Sequence, residues 1–244
     1  LPPGDPAGTL MDRVSLQRLR AQPGYLSFVS AATLARVSDE MFSVGVVLLV
    51  LDRTGSAELA GFAVAAITLP SLISGPLLGA WLDLTGRRRK LMVLDQLLIA
   101  SMLVVLVLLV GNAPDWTIPL VVLVAGLTYP LSFGGFTSLI PAIVPEDLLA
   151  PANALETTSF NSALVIGPAL AGTISAVVDP AASLLVEAGL AVLALVLILR
   201  IPHLDSGGSR SGGTLVGVAL QGLRQIFVVP ELRGITAAGA IGMA

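Results

Sequence analysis

Thr33, Arg36, Asp39, Glu40 and Ser43 interrupt an otherwise apolar stretch at helical spacing. At about 100° per residue they fall within about 60° either side of Arg36, so a helix here carries one polar stripe. An unpaired charge at mid-membrane costs on the order of 3 kcal/mol, so the stripe must face a partner or a wet cavity. Arg36 reaches Asp39 at i+3 and Glu40 at i+4, which leaves one carboxylate in excess. Partly desolvated, that carboxylate could take up and release a proton as a cavity alternates between two faces. The expectation is Asp39 as the structural partner of Arg36 and Glu40 as the titrating group. The plainer alternative is that both acids neutralise Arg36 and fix helix packing.

The surroundings are those of a membrane. Apolar residues make up 55% of the 244 and charged residues 12%, where a soluble domain has about 25% charged. Leu59 to Leu82 and Gln96 to Pro114 carry no charge at all, and a hydrocarbon core about 30 Å thick needs roughly 20 such residues as helix. With no cysteine and only His203, disulfide frameworks, thiolate sites and histidine metal clusters are excluded, and no cofactor is expected. The net charge of -3 and the absence of a basic stripe with interleaved aromatics set nucleic acid aside.

The fold class expected is all-α, a polytopic six-helix bundle. Spans are predicted at about 26–51, 57–82, 91–111, 117–144, 153–178 and 181–201, with the start of a seventh at 234–244. The domain reading is an amino-terminal arm at 1–24 with a disordered first ten residues, a transmembrane bundle at 25–201, and a loop at 202–233. Within that loop Val216, Ala219, Leu220, Leu223, Ile226 and Phe227 share one helical face. Eleven of the 13 Lys and Arg fall on the side of the amino terminus, Arg53 lies opposite and Arg36 is within a span. That bias puts the amino terminus in the cytoplasm and the chain in the cytoplasmic (inner) membrane.

The turn from Gly79 through Asp83 and Gly86 to Arg87, Arg88, Arg89 and Lys90 resembles motif A of the major facilitator superfamily, with Leu84 where that family usually has a basic residue. The resemblance implies gating by Gly79, Asp83, Gly86, Arg87 and Arg88, with Asp95 as a partner for the cations. Gly167, Pro168 and Gly172 resemble the family's antiporter motif C, departing from it at Ala163, which implies efflux. Arg36-Val37-Ser38-Asp39, Leu94-Asp95, Val144-Pro145-Glu146-Asp147 and Asn153-Ala154-Leu155 are similar to the secretion-effector branch, which includes siderophore and macrolide exporters. The fourth span lacks the arginine of motif B. Gly75-Pro76 and Gly167-Pro168 recur in equivalent helices of two three-helix units, as an inverted repeat would place them.

Tyr129, Phe133 and Phe136, with Thr158 and Asn161, are candidates for an aromatic and hydrogen-bonding wall around an amphipathic substrate. Glu156 and Glu187 read as structural. The implied function is a secondary active transporter exporting a small amphipathic molecule, with protons as the coupling ion. Its expected partners are the bilayer, the small-molecule substrate and a carboxy-terminal six-helix half lying beyond residue 244. No bond-breaking activity is expected. The alternatives are a non-transporting membrane scaffold or receptor, and a half-transporter that dimerises.

Overall fold

A computed structural model describes residues 6–201 and Gly217, apart from the side chains of residues 6–13, Leu72, Asp83 and Phe133. The expected loop and seventh span, 202–244, lie outside the described residues except for Gly217. The described chain is helical, without strands. Helix α1 (Pro6–Ala21) is followed by α2 (Tyr25–Thr54), α3 (Ala57–Thr85) and α4 (Arg88–Leu109). The broken segment α5 (Thr117–Gly126) to α6 (Ile140–Ile143) leads to α7 (Leu149–Val177) and α8 (Pro180–Leu199).

One difference from the sequence reading is at the amino terminus, where residues 6–10 are helical rather than disordered. Pro6 opens the helix at a position where its missing N–H has no partner to lose. The second is the fourth span, which is not one helix. Pro130 cannot donate to the carbonyl of Gly126, so α5 stops; Thr128 N and Leu131 N bond three residues back instead. The chain then widens into a π turn at Leu131–Gly135, and Pro145 confines α6 to a single turn by holding Val144 extended.

Length and apolar composition qualify α4, the α7 segment and α8 as membrane-crossing helices, and α3 as well if its two halves count as one bent span. The bend of 41° in α3 falls at Leu72, the residue whose carbonyl the ring of Pro76 displaces. α7 runs as one helix through Pro168, so the two Gly-Pro pairs act differently. α2 is 30 residues long but carries the charged stripe mid-helix.

α2 is the central element. It packs against α8 and α7 most extensively, then against α3, while α4 packs on α8 and α5 on α3. The largest apolar core joins Val46, Leu49 and Val50 of α2 to Leu103 and Leu106 of α4, Val122 of α5 and Ala191 of α8. The outer surface is oily: Ile73 is 73% exposed, Val165 71% and Val177 78%, a pattern that suits lipid or another helical bundle rather than water.

Small residues set the helix separations. A Cβ on Gly126 would lie 2.7 Å from the Ile67 carbonyl oxygen and 2.9 Å from Ile67 Cα, both backbone atoms of α3. Gly126→Ala should therefore destabilise the bundle by about 1–3 kcal/mol through overpacking. Gly189→Ala, with nothing within 4 Å of the new methyl, should be neutral or stabilising by up to about 1 kcal/mol. Thermal unfolding of the two variants in detergent, compared with the parent, checks the contrast.

Candidate functional site

The stripe on α2 divides between two neighbours. Thr33 shares a 2.6 Å hydrogen bond with Ser159 of α7. Two turns on, the backbone of Glu40 meets Gly167, where a Cβ would lie 2.5 Å from Glu40 Cβ and 2.9 Å from its carbonyl carbon. The two helices thus run in the same direction and close tightly where the motif C-like glycine stands. Gly172 meets no such neighbour.

Arg36 is almost wholly buried, and its Nη2 donates to Glu156 Oε1 in an ion pair with α7. The guanidinium carbon lies 5.6 Å from the centre of the Phe160 ring, one turn further along α7. Thr137 Oγ1 donates to the same Glu156 oxygen at 2.7 Å. The partner of Arg36 is therefore Glu156, not Asp39. A residue at i+3 lies beside Arg36 on the helix surface, but α7 brings an acid directly over the guanidinium. The sequence marks Glu156 only as structural; its counter-charge role depends on how α2 and α7 pack, which no spacing within one helix reveals.

Asp39 turns toward α4 and α8, where it faces Asp95, Glu187 and the Ser132 hydroxyl. Asp95 is buried and accepts from Ser132 Oγ at 2.9 Å and Gln96 Nε2 at 3.0 Å. It is no partner for the basic turn. α4 points Asp95 inward, more than one turn beyond the cations, and Arg88 and Arg89 are used elsewhere. Arg88 Nη1 donates to the Ser138 carbonyl at 2.8 Å and Arg89 Nη2 to that of Leu199, the last residue of α8. On the opposite face Arg53 donates to Val107 and Val110 at the end of α4. These arginines cap carbonyls left over at helix ends. In the turn itself Gly86 adopts a left-handed conformation and donates its N–H to Leu82, and Arg87 is exposed. Gly79 borders a cleft of about 250 Å³ between α3 and the π turn.

A cavity of about 900 Å³ lies between α2, the broken fourth segment and α7. Its walls are mainly apolar and include Glu40, Tyr129, Thr137, Glu156, Phe160 and Leu164. The volume is that of a small-molecule site, and Thr137, Thr157 and Leu164 are exposed along it. Glu40 is half-buried and joins no ion pair among the described residues. Of the other expected wall residues, Tyr129 is in the lining and Phe136 is not, being buried against Phe28 with ring centres 6.1 Å apart. Thr158 and Asn161 border a separate cleft of about 460 Å³ on another face of α7. Neighbours of α7 residues diverge because 100° per residue turns Asn161 away from Phe160.

The chain belongs to the Major Facilitator Superfamily, whose profile matches residues 28–244. It is a multi-pass membrane protein of that all-α fold. An MFS-type transporter of Sinorhizobium fredii is 32% identical over 227 residues, covering 91% of this chain and 55% of that one. The multidrug efflux pump Tap of Mycolicibacterium fortuitum is 29% identical, with 85% and 53% covered. Macrolide efflux protein A of Streptococcus pyogenes is 23% identical, with 69% and 42% covered. The chain spans about half the length of the curated relatives it matches.

Because Arg36 is desolvated, Glu156→Gln should cost about 3–5 kcal/mol by leaving its charge without a counter-ion. Replacing both partners by leucine should cost markedly less than the single change. Thermal unfolding of the single and double variants in detergent reads out the difference.

Proposed function

We propose that this chain forms one six-helix bundle of a secondary active exporter. It works by alternating access against a second bundle, in the cytoplasmic membrane with the amino terminus in the cytoplasm. The cargo is a small amphipathic molecule and protons are the coupling ion. One observation carries the reading: Glu40 stands on the wall of a largely apolar cavity while Arg36, one turn away on the same helix, is already engaged by Glu156. A carboxylate left in excess beside Phe160 and Tyr129 suits the ammonium or delocalised positive charge of an amphipathic cation, whose apolar body the remaining wall covers.

The efflux pumps among the relatives support the direction, as does the motif C-like glycine packed on the backbone of Glu40. At the basic turn, Gly79, Asp83, Gly86, Arg87 and Arg88 are assigned to gating. Arg88 and Arg89 tie that turn to the fourth segment and to the end of α8, so a movement of α3 and α4 is transmitted to the cavity wall. Phe133 and Asn161 are kept as secondary candidates for substrate contact, Asn161 on the second cleft.

Transport of tetraphenylphosphonium by the intact protein in everted membrane vesicles tests the proposal. An imposed proton gradient should drive its accumulation, and Glu40→Gln should weaken its binding by about tenfold or more, equivalent to about 1.4 kcal/mol. Unchanged affinity in Glu40→Gln would remove that residue from the cargo site, and gradient-independent movement would remove proton coupling.

A further inference from the structure

Behind the cavity wall, on the side of α2 turned toward α4 and α8, three carboxyl groups meet. Asp39 of α2 faces Asp95 of α4 and Glu187 of α8. Their exposures are 4%, 1% and 0%. Neither oxygen of Glu187 makes a hydrogen bond, and the same holds for Asp39 Oδ2 and Asp95 Oδ1.

A second feature converges on the same spot. Ser183, one turn before Glu187, is fully buried with an unbonded hydroxyl. Ser183 Oγ and Glu187 Oε2 lie 3.5 and 3.6 Å from the point that a Cβ on Gly45 of α2 would occupy. Glu40 and Arg36 of α2 also act on Asp39, and the other groups turned toward the cluster are polar: Tyr129 from the fourth segment faces Asp39, Glu40 and Glu187, while Thr128, Ser132 and Gln96 surround Asp95. The nearest cation, Arg36, stands one turn from Asp39 and is held by Glu156.

Three ionised carboxylates at this depth would repel one another and leave several acceptors without a donor, at a cost of several kcal/mol each. A proton on one of them removes a charge and converts an acceptor into a donor for its neighbour. No group of three or more acidic side chains or histidines among the described residues is arranged to hold a metal ion, so the ligand that meets this need is a proton. The seam is also mechanically placed. Ser38 Oγ donates to the Glu187 carbonyl at 3.1 Å, tying α2 to α8 next to Asp39.

Given the exporter reading above, we infer that the coupling proton is held at the Glu187–Asp39 seam between α8 and α2, apart from the cavity, leaving Glu40 to meet the cargo. On release the O–H bond of the protonated carboxyl breaks, its electron pair stays on the oxygen, and the proton passes to water. Cargo and proton then compete through the packing of α2 on α8 rather than for one carboxylate. The coupling is reciprocal, typically about 5- to 150-fold in affinity.

Proton release on adding tetraphenylphosphonium to the intact detergent-solubilised protein, followed with a pH indicator in weak buffer, tests this. The unmutated protein and Glu40→Gln at saturating probe should release protons, whereas Glu187→Gln should release none while still binding the probe. Its probe affinity should lose the pH dependence seen in the parent. Release from Glu187→Gln equal to the parent's, or its loss in Glu40→Gln alone, overturns the assignment; absence of release from the unmutated protein sinks the exporter reading's coupling as well. Should Glu187→Gln fold poorly, infrared difference spectra of the unmutated protein with isotope-labelled glutamate decide. A protonated glutamate carbonyl that responds to the probe, and persists in Glu40→Gln, supports the seam. Its absence overturns it.

Discussion

The burial of Arg36 is the constraint on which the rest of the site depends. A guanidinium cannot shed its charge as a carboxyl can, so a helix carrying one in its interior must be met by an acid from elsewhere. Glu156 meets it, and in doing so joins α2 to α7 beneath the cavity. With that pair closed, neither Asp39 nor Glu40 joins an ion pair among the described residues. Glu40 faces the cavity and Asp39 faces two more acids. One ion pair therefore sorts the polar stripe into a side that faces the cavity and a side that faces α4 and α8.

The neighbouring helices are built to allow this closeness. Glycines stand where backbones or polar groups converge on a neighbour: Gly45 toward α8, Gly126 against α3 and Gly167 against α2. Packing of this kind replaces the hydrophobic drive that is missing between helices in lipid. The prolines act where helices must break. Pro130 ends α5, and the π turn after it directs Ser132 toward Asp95, while Tyr129 reaches the cavity. Irregular backbone at such depth is tolerated because it borders protein and a cavity rather than lipid.

Much was legible in the residues alone. Runs without charge declared the helices, the cationic turn declared a loop, and the positions of five of the six expected spans agree closely with α2, α3, α4, α7 and α8. The fourth was misjudged because hydropathy is blind to hydrogen bonding: Thr117 to Val144 is apolar throughout, yet its prolines and glycines divide it. Within the site, the spacing of Thr33, Arg36, Asp39 and Glu40 announced a polar stripe. It could not announce that Arg36 prefers an acid 120 residues away, nor that Asp95 turns inward.

Composition and periodicity determined that this chain is a helical membrane protein with buried charge in its first span, because the cost of exposing polar groups to hydrocarbon is local and readable one helix at a time. Which charge meets which was decided only by the tertiary structure. Electrostatic compensation depends on distance in space, and the helices that supply Glu156, Asp95 and Glu187 reach α2 only after packing has set their rotation and depth.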